Sequence, residues 1–171
     1  SLIMPSLRTT PVEGPAAWKA TDADIKDASW KTWVTEEHIM ECDTALEATA
    51  RKEVLSIAKQ DLPAMPQVAK LFQGIQTDLE EGRGFAMLRG LPVDRWGIEQ
   101  TSRALWILGL HLGSAEPQDR AGSLIHHVED TGMKFEVNNT VRYYQTKMAI
   151  PLHTGGSDAL ALICFSKGHS G

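Results

Sequence analysis

The sequence predicts an α+β domain, on three observations. Apolar residues recur at three- and four-residue steps up to about residue 112, whereas from Gly113 onward short apolar runs alternate with turn residues. No internal repeat or low-complexity tract divides the chain into separate units. At 171 residues, with 42% hydrophobic and 23% charged residues, the chain can bury a core and has the balance of a soluble globular protein. The net charge of -5 and the scattered basic residues argue against a nucleic-acid partner. No apolar stretch approaches the roughly 20 residues that cross a bilayer, so no membrane association is expected. Ser1-Leu-Ile-Met-Pro5 lacks the charged and apolar regions of a signal peptide, and a reducing, cytoplasmic setting is expected.

The elements follow in order. Residues 1–34 read as an extended arm, with four prolines or glycines before Trp18 and with Trp18, Trp30 and Trp33 as aromatic anchors. Thr35 is an N-cap for a helix that carries Glu36 and Glu37 in its first turn. Its apolar stripe is Ile39, Cys42, Leu46, Ala50, Val54 and Ile57, and Asp61-Leu-Pro-Ala-Met-Pro66 breaks it. A second helix starts near Pro66, buries Val68, Leu71, Phe72, Ile75 and Leu79, and stops at Gly82. Gly84-Phe-Ala-Met-Leu-Arg89 is expected to be a buried strand, and a third helix to run from about Ile98 to Leu112. Three further strands are expected over 123–128, 140–146 and 160–165, with turns at Asp130-Thr-Gly132 and Val137-Asn-Asn-Thr140. Because the last strand reads as central and the sequence stops soon after it, either a longer chain or a partner is expected to complete the sheet.

Several residues are weighed against plain structural roles. Cys42 falls on the first helix and Cys164 in the last strand, and with no CxxC pair both are expected to pack. His126 and His127 are neighbours on a strand and face opposite ways, so one buried and one exposed ring is expected rather than a metal pair. His111 suits the C-terminal dipole of the third helix, His38 reads as surface, and His169 as solvated. Alternation over Tyr143 to Thr146 puts Tyr143 with Gln145, and Tyr144 with Thr146, on common faces. Either pair can serve packing or line a cavity. Gly82-Arg-Gly84 lacks the Lys-Ser/Thr partner of a phosphate loop, and no nucleophile elbow is present.

The segment Ile150-Pro-Leu-His-Thr-Gly-Gly-Ser-Asp158, followed by the apolar run Ala159 to Phe165, carries the strongest signal. Together with Gly84-Phe-Ala-Met-Leu-Arg-Gly-Leu-Pro-Val93, Leu108-Gly-Leu-His-Leu-Gly113, Pro117-Gln118 and Val141-Arg-Tyr-Tyr-Gln-Thr146, it resembles the taurine dioxygenase (TauD/TfdA-like) family, in consistent order from about Pro11 onward. The resemblance implies a double-stranded β-helix (jelly roll) with flanking helices, with residues 35–171 as the N-terminal part of that domain and the barrel therefore incomplete. It also implies a non-haem oxygenase that uses Fe(II) and 2-oxoglutarate to oxidise a C–H bond of a small organic substrate.

In that family a His-x-Asp pair and a later histidine hold the iron on one face and leave positions for co-substrate and dioxygen. By position His153 matches the first histidine, and Gly155 stands where the carboxylate belongs. Tyr144 and Thr146 are the candidate co-substrate contacts. The distal histidine and the arginine for 2-oxoglutarate would fall after Gly171. A lone imidazole holds Fe(II) poorly, because several ligands must act together and a carboxylate balances the charge.

Three readings of Gly155 stay open. A vacant carboxylate position can admit halide, as in the related halogenases. A degenerate relative can keep the fold as a non-catalytic binding or assembly protein. An ordinary oxygenase can use another ligand, since the Gly155-Gly156 pair could let the loop bring Asp158 toward His153. The plainer role of Asp158 is to cap backbone donors at the start of the next strand. Self-association is a further expectation, from an open sheet edge and the tryptophan-rich arm.

Overall fold

The computed structural model describes residues 10–22, 30–133, 141, 143–150 and 156–166, without the side chain of Tyr143. The chain divides into two compact units, residues 1–112 and 113–171.

In the first unit the order is a 3-10 turn at Gly14–Ala17, strand β1 (Lys31–Trp33), helix α1 (Glu36–Ala48), 3-10 turns at Val54–Ser56 and Lys59–Asp61, helix α2 (Pro66–Glu80), strand β2 (Met87–Arg89) and helix α3 (Val93–Gly109). The caps fall where the sequence places them. Thr35 is the N-cap of α1, and its backbone N–H donates to Nδ1 of His38 at 3.0 Å. Pro66 opens α2, where its missing N–H removes nothing from the helix ladder. The chain leaves α2 at Gly82, where a Cβ would lie 2.7 Å from the Asp78 carbonyl oxygen, a contact no larger residue could make unmoved.

The core of this unit is built from Cys42, Ala45 and Leu46 of α1, Ile57 and Met65 of the connection, Val68 and Phe72 of α2, and Trp96, Ala104, Trp106, Ile107 and Leu108 of α3. Polar side chains tie the helices at defined points. The Glu41 carboxylate on α1 accepts the backbone N–H groups of Gln67 (3.0 Å) and Val68 (2.9 Å), so it caps the next helix, whose first N–H groups lack intrahelical partners. Asp43 accepts from Arg95 (2.8 Å) and from the indole N–H of Trp96 (2.7 Å). Trp106 donates its indole N–H to the Ile57 carbonyl at 2.9 Å, and Arg103 reaches the carbonyls of Thr49 and Lys52.

Four sequence expectations need correction in this unit. Helix α1 ends at Ala48 rather than running to Ile57. The Thr49 hydroxyl bonds back to the Ala45 carbonyl at 2.7 Å, the chain leaves the helical region there, and Val54 to Ser56 form a 3-10 turn. The apolar period continues because Ile57 still packs in the core (2% exposed), although no helix carries it there. Helix α3 begins at Val93 instead of Ile98 and is broken at Gly97, whose φ of 69° lies in a region that L side chains rarely adopt. Strand β2 keeps only Met87–Arg89 of the expected 84–89 run, and Met87 is exposed.

The strand within the N-terminal arm is the fourth difference. Lys31, Thr32 and Trp33 pair in parallel with Met87, Leu88 and Arg89. Trp18 and Trp30 do anchor the arm, both edge-on to Phe85 at 5.1 and 5.4 Å, with the Trp18 indole donating to the Arg83 carbonyl. Trp33 does not: it is 65% exposed and lies under the Arg89 guanidinium.

The second unit holds little regular structure among its described residues. No strand forms over 123–128 or over 159–164, and Tyr143–Gln145 is a 3-10 turn where a strand was expected. A strand requires a neighbouring ladder for its N–H and C=O groups, and sequence pattern alone does not supply one. Leu160 and Leu162 are 67% and 77% exposed, and Cys164, expected in a buried strand, is exposed too. Among the described residues no helix is long and apolar enough to cross a membrane.

Candidate functional site

In the second unit, two stretches that bear candidate residues are joined by polar contacts. Asp119 organises the first. Its Oδ1 accepts the backbone N–H groups of Ala121 (2.8 Å) and Ser123 (3.1 Å), and the Gln118 N–H donates to the Ser123 carbonyl at 2.7 Å. This is an aspartate turn, in which a short side chain substitutes for backbone acceptors. The Ser123 backbone amide, then its hydroxyl, hold the Asp119 carboxyl below the usual carboxylate range, with Ala121 and the His126 ring contributing and burial opposing. The second oxygen, Oδ2, faces Nε2 of His126 at 3.5 Å.

The other ring nitrogen of His126 faces the second stretch. Nδ1 lies 3.5 Å from the Tyr144 hydroxyl, and the two rings are 5.3 Å apart at an angle of 45°. Two more contacts hold the same stretch. Thr131 donates both its backbone N–H (3.0 Å) and its hydroxyl (2.9 Å) to the Gln145 carbonyl. Lys147 lies 3.4 Å from Asp130, whose other oxygen closes a turn on the Gly132 N–H at 2.9 Å. Tyr144 thus sits on a cross-tied 3-10 turn, and Thr146 directly follows it. They do not share the face of a strand, because no strand forms there. Thr146 Oγ1 accepts the Met148 N–H at 3.2 Å.

The remaining candidates sort as follows. His153 and Gly155, like His169, lie outside the described residues. Asp158 is exposed, and beside it the Ser157 hydroxyl donates to the Ala159 carbonyl. Among the described residues no three His, Cys, Asp or Glu side chains come close enough to hold a metal ion. His126 is half-buried and His127 exposed, where one buried and one exposed ring were expected on a strand that does not form.

In the first unit His111 follows the end of α3 and packs on Phe72 at 5.7 Å. Its Nε2 is buried without a partner, and burial lowers its pKa from the ordinary 6.5, Lys59 adding to the effect and Glu41 opposing it. Cys42 is buried, which pushes its thiol up to about 12 and leaves no reactive thiolate at neutral pH. A surface cavity of about 280 Å³ lies between α1 and the start of α3, lined among others by Asp43, Glu47, Arg95 and Gln100.

His126 was read from the sequence only as half of a histidine pair, and Asp119 was not singled out. The available signal was local: an aspartate three residues before Gly122 marks a turn, and that turn fixes one carboxylate oxygen and leaves the other free.

With this arrangement described, the comparison with known proteins adds a relative. The chain is 32% identical over 165 residues to FR-33289 synthase of Streptomyces rubellomurinus (strain ATCC 31215). The similarity is to a synthase. It covers 94% of this chain and 48% of that protein, so the chain spans about half the length of its curated relative. A match of that extent has to run through residues 150–158, where His153 and Gly155 stand. No protein-family model matches the chain.

Proposed function

We propose that this chain is part of a biosynthetic oxygenase of the taurine dioxygenase type, dependent on Fe(II) and 2-oxoglutarate and acting on a small organic substrate. The observation that carries the reading is the 32% identity to a synthase along nearly the whole chain, through the His153 segment. The order of the sequence motifs, from Gly84-Phe-Ala-Met-Leu-Arg89 to Pro151-Leu-His153, supports the same family, and the jelly roll belongs to this proposal.

His153 would hold the iron. When bound, iron and 2-oxoglutarate would, with dioxygen as the oxidant, supply an oxidation that couples loss of carbon dioxide from the keto acid to attack on a substrate C–H bond. The described residues do not make an iron site by themselves. The chain's own contribution, in this reading, is at the turn bearing Tyr144 and at Thr146 just after it. There the Thr131 and Asp130 contacts fix the backbone, which supports a role for the Tyr144 phenol and the Thr146 hydroxyl in meeting polar groups of a co-substrate.

A second reading is favoured by one residue. Gly155 replaces the expected carboxylate with a residue that has no side chain, which suits either a halide, as in a halogenase, or a relative that binds without catalysing. One titration separates these possibilities. Fe(II) and 2-oxoglutarate are added without oxygen, with and without chloride, to the whole protein carrying either the natural chain or Gly155→Asp, and the visible charge-transfer band of the ternary complex is followed. The oxygenase reading expects a band in the natural chain that Gly155→Asp strengthens by tightening iron binding about tenfold or more, since a restored ligand adds charge and chelation. A band that needs chloride and is lost in Gly155→Asp selects halide chemistry. No band in either protein rejects iron chemistry for these residues and leaves the binding protein.

A further inference from the structure

We infer that Asp119 and His126 form a positioning pair that sets the direction and hydrogen-bonding sense of the Tyr144 phenol. The inference rests on the proposed function for what Tyr144 meets, but its geometry stands apart from that reading.

The argument starts at Asp119. An ionised carboxylate only accepts hydrogen bonds. Oδ1 already takes two backbone N–H groups, so Oδ2 is the atom left to engage the ring, and it faces Nε2. Contact with that oxygen requires the hydrogen on Nε2. In a neutral ring this leaves Nδ1 as an acceptor, and the Tyr144 O–H turns toward it. The phenol oxygen then offers its remaining lone pairs outward, as an acceptor. While the ring takes that hydrogen, the phenol has none to offer a carboxylate such as that of a keto acid; without the ring, the O–H is free to donate to one.

Three features make this a built arrangement rather than two chance neighbours. The carboxylate is aimed by its own turn. The ring is half-buried, with 26% of its side chain exposed, and packs against the phenol at 5.3 Å. The backbone that carries Tyr144 is held independently, by both donors of Thr131 on the Gln145 carbonyl. Both 3.5 Å contacts are long for hydrogen bonds and have room to shorten when a ligand engages the phenol.

The test has two arms, imidazole spectra on the 171-residue chain and affinities on the whole protein of the proposed function. Long-range proton–nitrogen correlation of the imidazole of His126 reports where its proton sits. The expected result is the Nε2-protonated tautomer, with the Nδ1 signal shifted in Tyr144→Phe and the tautomer preference weakened in Asp119→Asn, which keeps the Oδ1 acceptor of the turn. A ring protonated on Nδ1, or one indifferent to Tyr144→Phe, overturns the inference.

The second arm is calorimetric affinity for 2-oxoglutarate in the presence of Fe(II). His126→Ala frees the phenol O–H to donate to the keto acid and is expected to tighten binding roughly three- to tenfold, the range of one hydrogen bond. The double variant should bind like Tyr144→Phe alone, because His126 acts through the phenol. No gain in His126→Ala, or a gain that persists in the double variant, overturns the pairing. If the whole natural protein binds no 2-oxoglutarate, the functional reading fails and the imidazole spectra decide the pairing by themselves.

Discussion

The two units are stabilised by different means. Residues 1–112 bury side chains from three helices and their connections, and polar bonds finish a structure that apolar packing already holds. In residues 113–171 the described core is slight. Leu160 and Leu162 are mostly exposed, and the identified ties are polar: Asp119 to its turn, Thr131 to Gln145, Lys147 to Asp130 and His126 to Tyr144. The comparison teaches where each kind of substitution will register. Stability is written chiefly in the first unit, and the residues of the proposed ligand contacts lie in the second.

The largest effect is expected from Trp106→Ala. It removes a buried ring and its bond to the Ile57 carbonyl, and should cost about 3–5 kcal/mol in a denaturant titration. Its counterpart Leu162→Ala, at a 77% exposed position, should change stability by no more than about 0.5 kcal/mol. Equal losses at the two positions would erase the contrast between the units.

Glu41→Ala comes next, with an expected loss of about 1–2 kcal/mol, because two N–H groups at the start of α2 lose their acceptor. No loss in the unfolding midpoint would mean that water replaces the carboxylate without cost.

The smallest effect is one of pH. Burial holds the His111 pKa below its ordinary 6.5, so the unfolded chain binds a proton more readily than the folded one. The contribution of His111 is therefore complete above about pH 6.5 and is lost as pH falls through the lower folded value. The urea midpoint should drop between pH 7 and pH 5, and His111→Gln should remove that part of the drop. An unchanged pH profile in the variant would show that the ring does not titrate on unfolding.

What could be read from the sequence was the chemistry that acts over a few residues. Thr35, Pro66 and Gly82 mark helix ends because caps and stops depend on local donors, acceptors and sterics, and all three lie where expected. The end of α1 was not legible. Val54 and Ile57 keep a helical period, and Ile57 a place in the core, while the chain passes through a 3-10 turn. Strand β1 was missed because three residues carry no alternation worth reading, and their partner is more than fifty residues away. At the candidate site, Tyr144 was named for its place in a family-like segment. Its partner His126 is 18 residues distant, and the pairing depends on a turn whose geometry no residue pattern spells out. The reading of His153 and Gly155 rests on residue identity.

The carboxylate that caps the start of α2 belongs to α1, and this has a consequence for how the first unit assembles. A helix that supplied its own cap could form its opening turn alone, before docking. Here Gln67 and Val68 gain their acceptor only when Glu41 arrives with its neighbour already in place. The beginning of one helix and the docking of another are therefore a single cooperative event, and slow amide exchange at those two positions is a direct gauge of whether the pair has come together.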